Sequence, residues 1–214
     1  MSNRVYLCCT DHFELPTEDG WDAFFNASGT EYEAVASVPL FWLCLFGSND
    51  IRIAVVDQSI FEGEDSRSYA YLCCSKEAGL ARLRARASVI AGVLGEERQA
   101  LYAEWVARME GEPFKHVLVR TEELDMMGEA GELEALLRNA LTCLESSEAD
   151  GTLTMSDDLR NVAGLGREAV LDACESFELA GMAGVSEPWP ARYNPPYVPP
   201  VAELKKKAWW QFWA

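Results

Sequence analysis

Apolar residues recur along the chain in two periods, and the period changes the predicted element. Short runs rich in β-branched and aromatic residues read as strands at 3–9 (NRVYLCC), 51–56 (IRIAVV), 68–74 (SYAYLCC) and 115–120 (KHVLVR). Between them the spacing lengthens to three and four. Leu80, Leu83, Ala87, Ile90, Ala91 and Leu94 share one face of a helix over 76–94, and Leu101, Trp105 and Met109 one face of a helix over 96–110. The clearest stripe is Leu133, Leu136, Leu137, Ala140, Leu141 and Leu144 within 129–146. The apolar run 31–46 (EYEAVASVPLFWLCLF) predicts a helix that begins near Pro39 or is kinked there. Residues 157–181 predict two short helices broken at the Gly-Leu-Gly of 164–166, the second lined by Val170, Cys174 and Phe177.

These elements predict an α+β fold: a small mixed sheet of about four strands flanked by helices. The body is expected over 1–150, a helical extension packed on it over 151–185, and a proline-rich segment with a basic, aromatic tail over 186–214. Six prolines in the thirteen positions 188–200 exclude regular helix and central strand there.

Tyr-Leu-Cys-Cys-Thr at 6–10 returns as Tyr-Leu-Cys-Cys-Ser at 71–75. In a strand, adjacent side chains face opposite ways, so neither cysteine pair can chelate or cycle by itself. The two segments read as similar strands of one sheet, with cysteine as a small buried hydrophobe. One metal set deserves naming because it uses both strands: Cys9, His12, Cys74 and His116. It lacks the close ligand pairs of zinc sites, and no metal or other cofactor is expected. The chain holds no nucleotide-binding P-loop, nucleophile elbow or zinc-protease motif. An EF-hand loop starting at Asp150 fails at Met155 and Asn161, and Ser156 with Asp157 and Asp158 reads as a helix start.

The net charge of −17, from 35 acids against 18 bases, disfavours nucleic acid and anionic lipid and favours a basic partner. No apolar run is long enough to cross a membrane and no secretory signal opens the chain, so a cytoplasmic protein is expected. Residues 121–150 carry nine acids against Arg138 alone and read as solvated helix faces. Residues 57–65 (DQSIFEGED) set Ile60 and Phe61 among acids on a turn. That is the pattern of a partner-binding loop, and also of a turn whose aromatic folds into the core. The candidate contact residues are Asp57, Phe61, Glu62, Glu64 and Asp65. In the tail, Trp209, Trp210, Phe212 and Trp213 follow three lysines and require a cover: the chain's own body, a sister subunit in a homodimer, or a partner.

The opening MSNRVYLCCTD, followed about thirty residues later by VPLFWLCLF, resembles a family of bacterial cytoplasmic proteins. Its members begin Met-x-Asn-Arg-x-Tyr-Leu and carry an Ile/Val-Pro-Leu-x-Trp-Leu-x-Leu-Phe segment. The tail KKKAWWQFW is similar to C-termini of proteins proposed as toxin antidotes. The likeness covers the first fifty residues and the last ten, and this chain has cysteine pairs where members often show Tyr and Ser. The resemblance implies an immunity protein of type VI or contact-dependent secretion systems, binding and blocking a toxin, with no catalytic residue to carry over. The expectation is therefore a non-enzymatic inhibitor of a basic nuclease effector. The alternatives are an effector chaperone or adaptor, and a small enzyme with a site near Cys9, His12 or His116.

Overall fold

The computed structural model describes residues 3–16, 20–55, 67–166 and 170–183. Six strands form one sheet: β1 (Arg4–Thr10), β2 (Ser28–Val35), β3 (Ile51–Val55), β4 (Ser68–Ser75), β5 (His116–Arg120) and β6 (Met182–Ala183). Their spatial order is β3, β4, β5, β1, β2, β6. The helices are α1 (Trp21–Asn26), α2 (Leu40–Leu43), α3 (Lys76–Ala91), α4 (Glu96–Gly111), α5 (Glu122–Asp125), α6 (Glu132–Asp150), α7 (Asp157–Val162) and α8 (Ser176–Ala180). The α+β class stands as expected. The sheet is larger than the four strands read from the sequence, and its pairings are antiparallel rather than mixed.

The doubled cysteines occupy equivalent places. β1 and β4 both pair with β5, one on each side, and therefore run parallel to one another. Leu7 and Leu72 both face Val119 across the ladder, Cys8 and Cys73 both face Leu118, and Cys9 and Cys74 both face Val117. Two strand spacings separate each matching pair, about 9.6 Å, beyond the reach of a disulfide. The shared pattern is the inside–outside alternation required of two strands flanking a third. The hydroxyls that end the motifs then diverge. Thr10 Oγ1 accepts from the His12 backbone N–H at 3.1 Å and turns the chain, whereas Ser75 Oγ accepts from Ala78 N–H at 3.2 Å and starts α3.

One face of the sheet lies under the long helices. Val5, Leu7, Cys9, Leu72, Cys74, Val117 and Val119 join Leu83, Ile90, Trp105, Leu137 and Leu141 in the main core. The run 38–46 is wholly buried there, yet only Leu40–Leu43 is α-helical, starting at Pro39. The run 31–46 was expected to hold a helix begun or kinked near Pro39; the helix does begin there, and residues 31–35 belong to β2 instead, with Tyr32 and Ala34 pointing into the core while Glu31 and Glu33 face outward. The carbonyls left free where α2 ends so early are taken by a buried cation. Arg86 on α3, 1% exposed, donates from Nη1 to the oxygens of Leu43, Cys44 and Phe46 and from Nε to Glu148 on α6.

Residues 170–181 are not the single amphipathic helix expected. Leu171–Ala173 is a 3₁₀ turn, α8 spans five residues, and Val170 and Phe177 are exposed while Cys174 is buried. Gly181 leaves α8 at φ +70°, and a β-carbon there would stand 2.2 Å from Trp42. The same indole donates from Nε1 to Ala180 O at 2.8 Å. This close approach is what brings the chain back to pair β6 with β2.

Candidate functional site

The other face of the sheet carries a smaller apolar cluster of Cys8, Phe24, Tyr69, Tyr71, Cys73 and Leu118. α1 lies against it. Its sequence WDAFFN places Phe24 fully inside and leaves Phe25 47% exposed, with Trp21 half-buried. Trp21 stacks on Phe25 at 5.6 Å and meets Phe24 edge-on at 5.8 Å.

Arg120, the last residue of β5, sits within this aromatic group. Its guanidinium carbon lies 5.0 Å from the Tyr6 ring centre, 5.2 Å from Trp21 and 5.4 Å from Phe25. Its Nη2 donates to Glu122 at 2.8 Å and its Nη1 approaches Glu31 at 3.5 Å. Glu31 in turn accepts from the Cys8 thiol at 3.1 Å, and Glu33 pairs with Arg4 at 3.3 Å. Towards the other end of the strands, Phe13 is 45% exposed, packs edge-on against His116 at 5.2 Å, and receives Arg52 over its ring at 5.4 Å. Asp11, Glu14 and Asp22 stand exposed around these rings. The result is a face of part-exposed aromatics backed by two arginines and bordered by carboxylates. Such a composition marks the anchors of protein interfaces.

The sequence-derived contact residues Asp57, Phe61, Glu62, Glu64 and Asp65 lie outside the described residues. The residues on either side are held by specific contacts. Val55 pairs with Ser68, and Arg67 donates to the backbone oxygens of Asp125 and Gly128 at 2.7 and 2.9 Å and to the Asp125 carboxylate at 3.1 Å. Val55 and Arg67, the described residues on either side, therefore lie at the end of the sheet that carries Arg120 and Glu122. The tail from 184 onward also lies outside the described residues.

The metal set does not converge. Cys9 and Cys74 point into the helix-covered core, whereas the His116 and His12 rings contact Phe13 and Phe24 on the opposite face. Among the described residues, no group of three or more His, Cys, Asp or Glu side chains is arranged to hold a metal ion. Burial pushes the thiols of Cys44, Cys73 and Cys74 up to about 12 and raises those of Cys8 and Cys9 as well, so all five stay protonated at neutral pH. Burial also lowers the His116 imidazole below its ordinary value.

Sequence reasoning missed Trp21, Phe25 and Arg120. The signal was three aromatic residues in the five positions 21–25, a stretch to which no element had been assigned. Among the described residues no helix is long and apolar enough to cross a membrane. Comparison of the chain with protein-family models, curated proteins and solved structures found no match.

Proposed function

We propose that this chain is an immunity protein that binds a cognate bacterial toxin, a basic nuclease effector, and blocks it in the cytoplasm. The carrying observation is the aromatic face around Trp21, Phe25 and Arg120, bordered by carboxylates on a protein of net charge −17. The aromatic anchors supply contact area at low entropic cost, and the acids steer a basic partner and stand in for the phosphates a nuclease binds. The acidic segment 57–65, chosen from its sequence alone, is proposed as a second contact. The resemblance of the first fifty residues and the last ten to bacterial proteins proposed as immunity proteins supports the same reading.

The test is to purify the tagged chain from its native bacterium, identify a stoichiometric partner, and assay that partner's nuclease activity with and without the chain. Inhibition lost on Phe25→Ala supports immunity. A partner that stays fully active while bound overturns it and favours the chaperone or adaptor reading. A partner with no nuclease activity overturns the nuclease assignment. A Cys–His form of the enzyme alternative has less support, because Cys9 faces the helix-covered core while His12 and His116 contact aromatic rings on the other face of the sheet.

A further inference from the structure

α3 and α4 pack side by side, and between them runs a groove of about 450 Å³. It is lined by Ala87, Ala91, Leu94, Tyr102, Ala103 and Val106, with Arg84 and Gln99 completing the wall. The alanines hold the helix surfaces back and create the concavity. Its polar groups are already engaged: Tyr102 donates to Leu83 O at 2.9 Å, Gln99 to Ala91 O at 3.0 Å and Leu94 O at 2.7 Å, and Arg84 pairs with Glu110 at 2.7 Å. What remains available is apolar surface and the flat face of the Arg84 guanidinium. Its chemistry suits an aromatic occupant, not a polar one.

The chain itself carries such an occupant. Lys205–Trp213 places three tryptophans and a phenylalanine in five positions, directly after three lysines and an alanine. Exposed together, those rings would form a large unsatisfied apolar patch. The ten residues from Lys205 hold three bases and no acid, so the other 204 residues hold 15 bases against 35 acids, a net of −20. The tail is drawn to that body by opposite charge. Reach is ample. The 171–173 turn and α8 both pack on α4, the last described element β6 pairs with β2 just after them, and the 25 residues from 184 to 208 can extend about 80 Å. The aromatic face on the sheet is a poorer seat, because its rings already stack on one another and on Arg120.

We infer that the C-terminal aromatic segment Lys205–Trp213 docks intramolecularly into the α3–α4 groove, seating tryptophan side chains between Ala87, Ala91, Ala103 and Val106. This inference is independent of the toxin-binding reading.

A benzophenone photo-crosslinking side chain at position 103, exposed in the groove wall, tests this in the full chain. Irradiating a dilute mixture of isotopically light and heavy chains, then mapping the linked peptides, separates the outcomes. Light–light and heavy–heavy links to peptides within 205–214 are expected. Mixed links in statistical proportion mean docking onto a second copy and overturn the intramolecular form. In parallel, Ala103→Glu places a charge in the groove, and Ala107→Glu places one on the same helix outside its lining. Acrylamide should quench more of the tryptophan emission in the first variant, with a red shift, and leave the second like the parent, helicity unchanged in both. Absence of tail links together with equal quenching in all three proteins overturns the proposal.

Discussion

The guanidinium of Arg120, at the end of the central strand, lies 5.2 Å from the Trp21 ring centre and joins α1 to the sheet through charge and aromatic stacking at once. Its side chain is 14% exposed and serves both Glu31 and Glu122. Arg120→Ala strands two carboxylates beside an apolar cluster and should cost about 2–4 kcal/mol, read from urea unfolding midpoints. Arg120→Lys keeps the charge but loses the flat stacking surface, so it should recover less than half of that loss. Full recovery by lysine would show that the rings contribute little.

Phe25 and Trp21 test the face as an anchor. Phe25 is 47% exposed, so Phe25→Ala should leave thermal stability within about 1 kcal/mol of the parent. Binding of the purified partner should weaken by tenfold or more, equivalent to about 1.4 kcal/mol, mostly through faster dissociation. Reversing Glu31 or Asp22 to lysine should instead slow association and flatten its salt dependence. Surface plasmon resonance at several salt concentrations separates the two effects.

Arg86 is the most deeply buried charged side chain among the described residues. Arg86→Ala frees the carbonyls of Leu43, Cys44 and Phe46 and isolates Glu148, at a cost of about 3–5 kcal/mol in denaturant titration. Glu148→Gln, whose partner keeps its three carbonyls, should cost clearly less.

His116 predicts a pH dependence with a definite sign. Burial against Phe13 lowers its folded-state pKa, opposed by Asp11 and reinforced by Lys115 and His12. The neutral imidazole is the form the fold prefers. Its contribution is fully present above the ordinary imidazole value of 6.5 and is lost as pH falls through the lowered folded-state value. The unfolding midpoint of the parent should therefore drop by more than that of His116→Gln as the pH falls below 6.5. Parallel curves for the two proteins would place the imidazole in solvent.

The cysteines should differ sharply in reactivity. Cys143 is half-exposed, whereas Cys8, Cys9, Cys44, Cys73 and Cys74 are buried with raised thiol pKa values. Mass-resolved labelling with a thiol reagent under native conditions should modify Cys143 first. The five buried thiols should react only at the rate of unfolding.

The four strands legible in the sequence each have apolar residues on both faces, and their ends fall within one residue of those read. β2 was missed for a physical reason. Its two-residue alternation, Glu31-Tyr32-Glu33-Ala34, runs into the continuous apolar stretch from Val38, and the joint looks like one long helix face. What divides them is the turn at Ala36, held at φ +56°, which no composition rule announces. β6 is two residues long and has no pattern to read. The aromatic site draws on α1, β1, β2, β5 and α5, segments up to about a hundred residues apart, so only the folded chain brings them together. The metal set failed because strand alternation, applied to each cysteine pair separately, also had to be applied between Cys9 or Cys74 and His116.

The matching strands β1 and β4 also flank a central place that is filled out of chain order. As the chain leaves the ribosome, β1 with β2 and β3 with β4 can each close from neighbouring sequence, but residues 116–120 emerge last of the five and belong in the centre. Until then the two Tyr-Leu-Cys-Cys strands present identical, unoccupied edges that point the same way. The chain between β4 and β5 is the helical pair α3–α4, whose Leu83, Ile90 and Trp105 lie in the core beneath that central place.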